Sequence, residues 1–520
     1  MNYRPSRRLT GICLAVALIV RTGSAFASDA PAVTPRAASA AEVALTQERY
    51  VSGLMLLQPL GRNGDRLAQA DIGPSFHGGL PSDLTAARAL LEDAAGHGSV
   101  SGQLALAALD ISGKPGIESG AKAAVLYRKY AEQGNEYAQF GLGVLYLHGV
   151  GVERDPAQAA VWFQRAADQN SVCAQSALAY LYESGVGVQR DDARALKLFR
   201  QAADQGFAIA QNNLADMYEH GNGVPLNFEK ALELYKLSAS QGMARANASI
   251  GRMYVHGLGV PVDEKAGRAY LLKSLQGGDP TACIELGNLA LRGENGKPDY
   301  DGALAWYRRA IAANVPDGMA NLAYMYEWGN GVPKDDAQAF AWYKRGAEAG
   351  SSSAAAGLAR FYLMGRGVAQ SDTEGIRWLT RAAQAGIVDA QRNLGYAYQF
   401  GKFGVKVDYP TALRFLVPAA YAGDANAQYD LALANYFGQS IPVDRRRALA
   451  WSWLAVLNGS KNARKQFDEM ARGANGDEQA QARHAAEQWR SGHDIVFASQ
   501  PPGYGGLSAF NPNAPFAPGN

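Results

Sequence analysis

Three sets of residues in this chain have types and spacings that could do chemistry. Ser119-Gly-Ala-Lys122 has the S-x-x-K spacing, in which a lysine amine relieves a serine hydroxyl of its proton for acyl transfer, the chemistry of β-lactam-binding enzymes. Its companion motifs, S-D-N and K-T-G, are absent. The second set is His148, His220 and His256, which recur at one position of a repeating pattern, where successive imidazoles could line a metal or proton site. The same position also holds Ser184, Trp328, Met364 and Phe400, which would not serve as ligands. A histidine in the last turn of a helix also complements the negative end of that helix. The third set is Cys173 and Cys283, 110 residues apart. A disulfide needs their Cα atoms within about 7 Å, so they read as two structural thiols. There is no H-E-x-x-H and no G-x-S-x-G, and the G-x-G elements recur too often to be phosphate cradles. The sequence therefore assigns no catalytic residue, no cofactor site and no metal site.

The elements that would position such residues are set by a repeat. A glycine falls at 113, 149, 185, 221, 257, 293, 329, 365 and 401, always 36 apart, and again at Gly438 after one inserted residue. A second comb runs through Gly98, Gly134, Asn170, Gly206, Gly242, Gly278, Asn314, Gly350, Gly386, Gly423 and Gly459. Asparagine is the other residue that tolerates the left-handed backbone beyond a helix C-terminus, so this comb predicts a helix exit in every unit.

Between the combs one helix, A, carries an aliphatic column (Leu142, Leu178, Leu214, Ile250, Leu322, Leu358, Leu394). A small residue precedes each by four, and a tyrosine follows each by four. That spacing places all three on one helical face. The second helix, B, opens on cap signals such as Asp155-Pro156, Asp191, Asp335 and Asp408. It continues with an alanine column (Ala159, Ala195, Ala231, Ala303, Ala339, Ala412, Ala448) and an aromatic three or four residues later. Ser119 falls where such a cap belongs. One helix pair cannot bury both its faces, so the units must stack into an all-α solenoid. Ten full units span 99–459, and a degenerate eleventh covers 65–98.

The series A-x-x-x-L-G-x-x-Y, G-x-G-V, D-x-x-x-A and W-Y/F-x-x-A-A-x-x-G, as in "AQFGLGVLYLHGVGVERDPAQAAVWFQRAADQN", resembles the Sel1-like repeat family, relatives of the tetratricopeptide repeats. The resemblance covers about 400 residues. It implies a right-handed superhelical α-solenoid of about eleven 36-residue helix–loop–helix repeats with helical caps. It also implies protein–protein contacts, often as an adaptor in envelope or secretion machinery, with helix A on the inner, concave wall. Two residues beyond each aliphatic position, the column Tyr180, Asp216, Arg252, Asn288, Tyr324, Arg360, Tyr396 is diverse where the core columns are uniform. Tyrosine and arginine are common interface anchors, so these seven are the candidate partner-binding residues.

The flanks complete the organisation. Residues 1–27 have a basic start (Arg4, Arg7, Arg8), an apolar run from Gly11 to Val20 and the small-x-small site Ala25-Phe26-Ala27. This reads as a signal peptide, because the run is about half the ~20 residues a membrane span needs. The expected order thereafter is a disordered linker at 28–43, a capping helix at 44–64, the solenoid at 65–459, capping helices at 460–494 and a disordered Pro/Gly-rich tail at 495–520. The chain carries 50 Lys and Arg against 48 Asp and Glu without a basic block, which argues against nucleic acid as a partner. The expected protein is periplasmic or secreted, with no membrane span. It is a non-enzymatic scaffold for envelope or secreted proteins, in exopolysaccharide secretion or envelope regulation. A glycan- or peptidoglycan-binding solenoid is the alternative, and a penicillin-binding hydrolase at Ser119 a third reading.

Overall fold

A computed structural model describes residues 92 to 495, apart from 93–94, 99, 114–116, 294–295 and 490–494. The expected signal peptide, linker and N-terminal cap, most of the degenerate unit at 65–98 and the tail beyond 495 lie outside the described residues. The described residues are helices joined by short loops. The chain divides into two compact units between Glu285 and Leu286. The first holds α1 (Val100–Gly113), α2 (Ile117–Glu132), α3 (Glu136–His148), α4 (Pro156–Ala167), α5 (Val172–Ser184), α6 (Asp192–Asp204), α7 (Ala208–His220), α8 (Phe228–Ser240), α9 (Ala244–His256) and α10 (Glu264–Gln276), and the division falls within α11 (Ala282–Arg292). The second holds α12 (Tyr300–Ala312), α13 (Asp317–Trp328), α14 (Asp336–Glu348), α15 (Ser352–Met364), α16 (Asp372–Gln384), α17 (Val388–Phe400), α18 (Tyr409–Tyr421), α19 (Ala425–Phe437), α20 (Arg445–Leu457), α21 (Ala463–Ala471) and α22 (Gly476–Glu487).

The combs are helix ends. Gly149, Gly185, Gly221, Gly329, Gly365 and Gly401 close their A helices in the left-handed conformation, each amide bonding back into the last turn. Asn170 and Asn314 adopt φ of 66° and 58°, as the second comb predicts. Asp155, Asp191, Asp335 and Asp408 accept hydrogen bonds from the first-turn amides of their B helices. Ser119 departs from this register. It lies inside the first turn of α2, which begins at Ile117, rather than at the cap.

The columns meet in the core. Ala138, Leu142, Ala174, Leu178, Ala210 and Ile250 are buried, and the tyrosines four residues beyond each aliphatic are half-buried. Phe415 and Trp451, three residues past their alanines, are fully buried; elsewhere on the B helices the fully buried ring is the one four residues past the alanine: Phe163, Phe199, Tyr235 and Tyr307. Trp162, Trp306, Trp342 and Trp378, one residue earlier, sit nearer the surface, each under an arginine three residues on at 4.4–5.6 Å. Glutamines join successive units. Gln139, Gln211, Gln391 and Gln428 each donate to a carbonyl eight residues back, at the end of the preceding B helix.

Candidate functional site

The seven candidate residues do not share one environment. Tyr180 is a correction to the expected open column: it is 2% exposed and packs in the core of the first unit. In the same unit Asp216 is half-buried, and Arg252 donates to Glu219 at 2.8 Å. In the second unit Asn288 accepts from the Tyr307 hydroxyl at 2.9 Å. Tyr324 and Tyr396 are open, each beside an aromatic four residues on: Trp328 at 6.1 Å and Phe400 at 4.8 Å between ring centroids. Arg360 is held by a carboxylate.

That carboxylate is Glu327, buried at the end of α13. Its Oε2 accepts from Tyr343 at 2.9 Å and from Arg360 at 2.7 Å, while Oε1 takes a second bond from Arg360 and one from Arg366 at 2.6 Å. Arg366 also donates to Asp336 at 2.7 Å and 3.1 Å. Burial alone would raise the Glu327 carboxyl, but Arg360, Tyr343 and Arg366 together hold it below the ordinary carboxylate range. The first unit has a smaller version, with Glu219 accepting from Tyr235 and Arg252, each at 2.8 Å.

Beside Arg360 a groove of ≈ 550 Å³ opens between α15 and α17. Tyr343, Gly357 and Leu379 form part of its lining, with Arg360, Met364, Asp389, Arg392, Asn393, Tyr396 and Phe403. Its polar groups and open rings suit an extended peptide that presents apolar side chains and backbone amides. Arg392 is tied to Asp389 at 2.9 Å and lies 3.6 Å from Asp424.

Next along the stack Asp430 is buried in α19. Burial, assisted by Asp424 and opposed by Arg392, pushes its carboxyl from an ordinary 3.8 up to about 7. The fold thus favours the protonated acid. Its contribution to stability is full below the unfolded value and is lost as pH rises through about 7. A shift of that size corresponds to about 4 kcal/mol at high pH. Asp430→Asn is therefore expected to melt like the parent at pH 4 and several degrees higher at pH 8 by circular dichroism. Equal melting temperatures at pH 8 would mean that the carboxyl is not held neutral.

The other chemistry-bearing residues do not assemble into a reaction centre. His148 is half-buried, and burial and then Arg154 lower its pKa. His220 Nδ1 lies 2.9 Å from the Asp216 carbonyl oxygen, and His256 Nε2 lies 3.8 Å from Glu285. Asp216, Glu219 and His220 place ligand atoms within 4.8 Å of one another. Glu219, however, is already bonded by Tyr235 and by the Arg252 guanidinium, whose positive charge opposes a cation there. Cys173 and Cys283 are thiols rather than a disulfide, and burial pushes the Cys173 thiol up to about 12.

The Sel1 repeat family model matches residues 66–99, 136–171, 174–207, 208–243, 244–279, 280–315, 316–351, 352–387, 388–424 and 425–460, well over half of the chain. The chain belongs to the Sel1 repeat family. Proteins of this family are generally non-catalytic scaffolds that mediate protein–protein contacts. Among solved structures, this Sel1 repeat protein is similar to a protective antigen of uropathogenic Escherichia coli with an SLR fold, at 30% identity over 84% of this chain and 94% of that one, TM-score 0.40. It is also similar to a Sel1 repeat protein from Oxalobacter formigenes, at 29% identity over 60% and 92%, TM-score 0.39. No curated protein matches it. The matched segments include the degenerate unit at 66–99 but pass over 100–135, where α1 and α2 nevertheless form a helix pair. No helix among the described residues is long and apolar enough to cross a membrane.

Three features of this Sel1 repeat protein escaped the reading of its sequence. The buried glutamates stand in a column five residues past the aliphatic one, and a tyrosine 16 and an arginine 33 residues later mark Glu219 and Glu327 alike. Asp430 carried no signal beyond its place beside the core Leu431. The third is the exposure of the apolar residues Trp328, Met364 and Phe400 just before their loop glycines.

Proposed function

We propose that this protein is an exported, non-enzymatic scaffold of the bacterial cell envelope that holds an extended segment of a partner protein in the groove between α15 and α17. The groove itself carries the reading: two neighbouring A helices present Arg360, Asn393 and Tyr396 to one open channel. Arg360 is fixed by Glu327, so its stem and guanidinium edge are pre-organised rather than free to roam. Export rests on the arginines, apolar run and Ala25-Phe26-Ala27 site of residues 1–27, and a role in exopolysaccharide secretion or envelope regulation rests on the family's habits.

The test is crosslinking capture from intact cells with the full chain, comparing the parent with Asn393→Ala/Tyr396→Ala. The expected result is a defined set of envelope proteins, depleted at least fivefold in the variant, captured by a chain whose mature N-terminus is Ser28. Identical protein sets would reject the groove as the binding surface. Binding of a defined glycan by the parent on an array, lost in the variant, would instead favour the glycan alternative.

A further inference from the structure

The residue before each loop glycine ends its A helix. In the first unit this position holds His148, Ser184, His220 and His256; in the second, after Arg292 at its start, it holds Trp328, Met364, Phe400 and Phe437. These four side chains are 38–63% exposed, and Tyr324 and Tyr396 extend them by one turn. Their helices, α13, α15, α17 and α19, are the successive A helices of one stack, with α13 packed on α15 and α17 on α19. The result is an uncharged, open apolar stripe along one edge of four repeats, a feature that on soluble proteins marks a contact surface.

The chain supplies a matching occupant. It leaves the described structure at Ile495, which is fully buried in the same core cluster as Leu431 and Ala434 of α19, the helix that ends in Phe437. Residues 496–520 contain no charge. Within them Tyr504, Leu507, Phe510 and Phe516 fall on a period of three, and Pro512, Pro515 and Pro518 on another. In a polyproline helix, three residues make one turn of about 9 Å. One edge would then carry Tyr504, Leu507 and Phe510 at about the 8–10 Å separation of packed helices, with Phe516 two turns further on. Twenty-five residues at about 3.1 Å each reach about 80 Å, more than the roughly 30 Å spanned by four helices.

We propose that residues 496–520 dock as an extended polyproline-like strand along the stripe Trp328, Met364, Phe400 and Phe437 of their own chain. Because Met364 also lines the groove, the strand reaches the groove's rim. The inference does not depend on the partner proposed above.

The test places the photocrosslinker p-benzoylphenylalanine at position 364 of the full chain. The expected product is an internal crosslink to residues 504–516 in the monomer band, with a yield unchanged by tenfold dilution. Phe510→Ser/Phe516→Ser should lower that yield at least fivefold without altering the helical circular dichroism, since neither residue belongs to the repeat core. A crosslinked dimer would overturn the proposal in favour of a second copy, and crosslinks only to other segments, or a yield indifferent to the double substitution, would reject it. Partner capture by Asn393→Ala/Tyr396→Ala is read separately, so either reading can fail alone.

Discussion

Gly187→Ala is expected to destabilise the first unit by about 3–5 kcal/mol, whereas Gly206→Asn, nineteen residues on, should cost less than about 1 kcal/mol. Both glycines are left-handed, with φ of 73° and 85°. An L-residue pays about 1–2 kcal/mol for that conformation, and asparagine pays least. Space separates them. A Cβ at Gly206 meets nothing within 4 Å, and Asn170 already fills the equivalent place at φ 66°. A Cβ at Gly187 would stand 2.4 Å from the backbone carbon and oxygen of Pro156, the first residue of α4 in the preceding repeat. Gly223 meets Asp192, and Gly367 meets Asp336, at the same interval of 31 residues. The second glycine of these loops is therefore the point where one repeat rests its backbone on the start of the preceding B helix, and a methyl group there must separate the two repeats. Thermal and urea melts of the two variants check this, and equal losses would show that the left-handed backbone alone dictates the glycine.

The period, the exits and the caps were legible because each answers to local backbone chemistry. Asn170 and Asn314 could be read as left-handed residues before any contact was known, and Asp155 and Asp335 as caps. What a side chain meets two repeats away was not legible. Tyr180 and Tyr324 occupy one column in equivalent helices, yet one is 2% and the other 43% exposed. Spacing fixes the face of the helix, not the neighbours that cover it. The glutamates failed for a related reason: a charged residue near a helix end reads as solvated, and its burial depends on a tyrosine and an arginine that come together only on stacking. For Ser119 a motif match and a cap register agreed on one residue, and α2 begins three residues too early for the second.

Glu327→Gln is expected to cost about 3–5 kcal/mol, because it removes the carboxylate to which both Arg360 and Arg366 donate while leaving the two guanidiniums in place. Glutamine fills the same volume and still accepts from Tyr343, so the loss is electrostatic rather than a cavity. Glu219→Gln should cost less, about 1–2 kcal/mol, since Glu219 neutralises Arg252 alone. Adding Arg360→Gln to Glu327→Gln should restore part of the loss, since one guanidinium then remains, and Asp336 still holds it. The pH dependence separates this effect from a packing defect. Glu327 is held below its ordinary value, so its contribution is present above about pH 4.5 and disappears as pH falls through the lower, folded value. The parent and Glu327→Gln should therefore converge in acid and differ most at neutral pH, the reverse of the Asp430→Asn comparison, in which the two chains converge in acid but the variant is the more stable at pH 8. A loss in Glu327→Gln that is the same at pH 3 and pH 7, or one that Arg360→Gln does nothing to relieve, would mean that Glu327 serves the groove through shape, and that Arg360 is placed by Phe361 and the α15 backbone rather than by its ion pair.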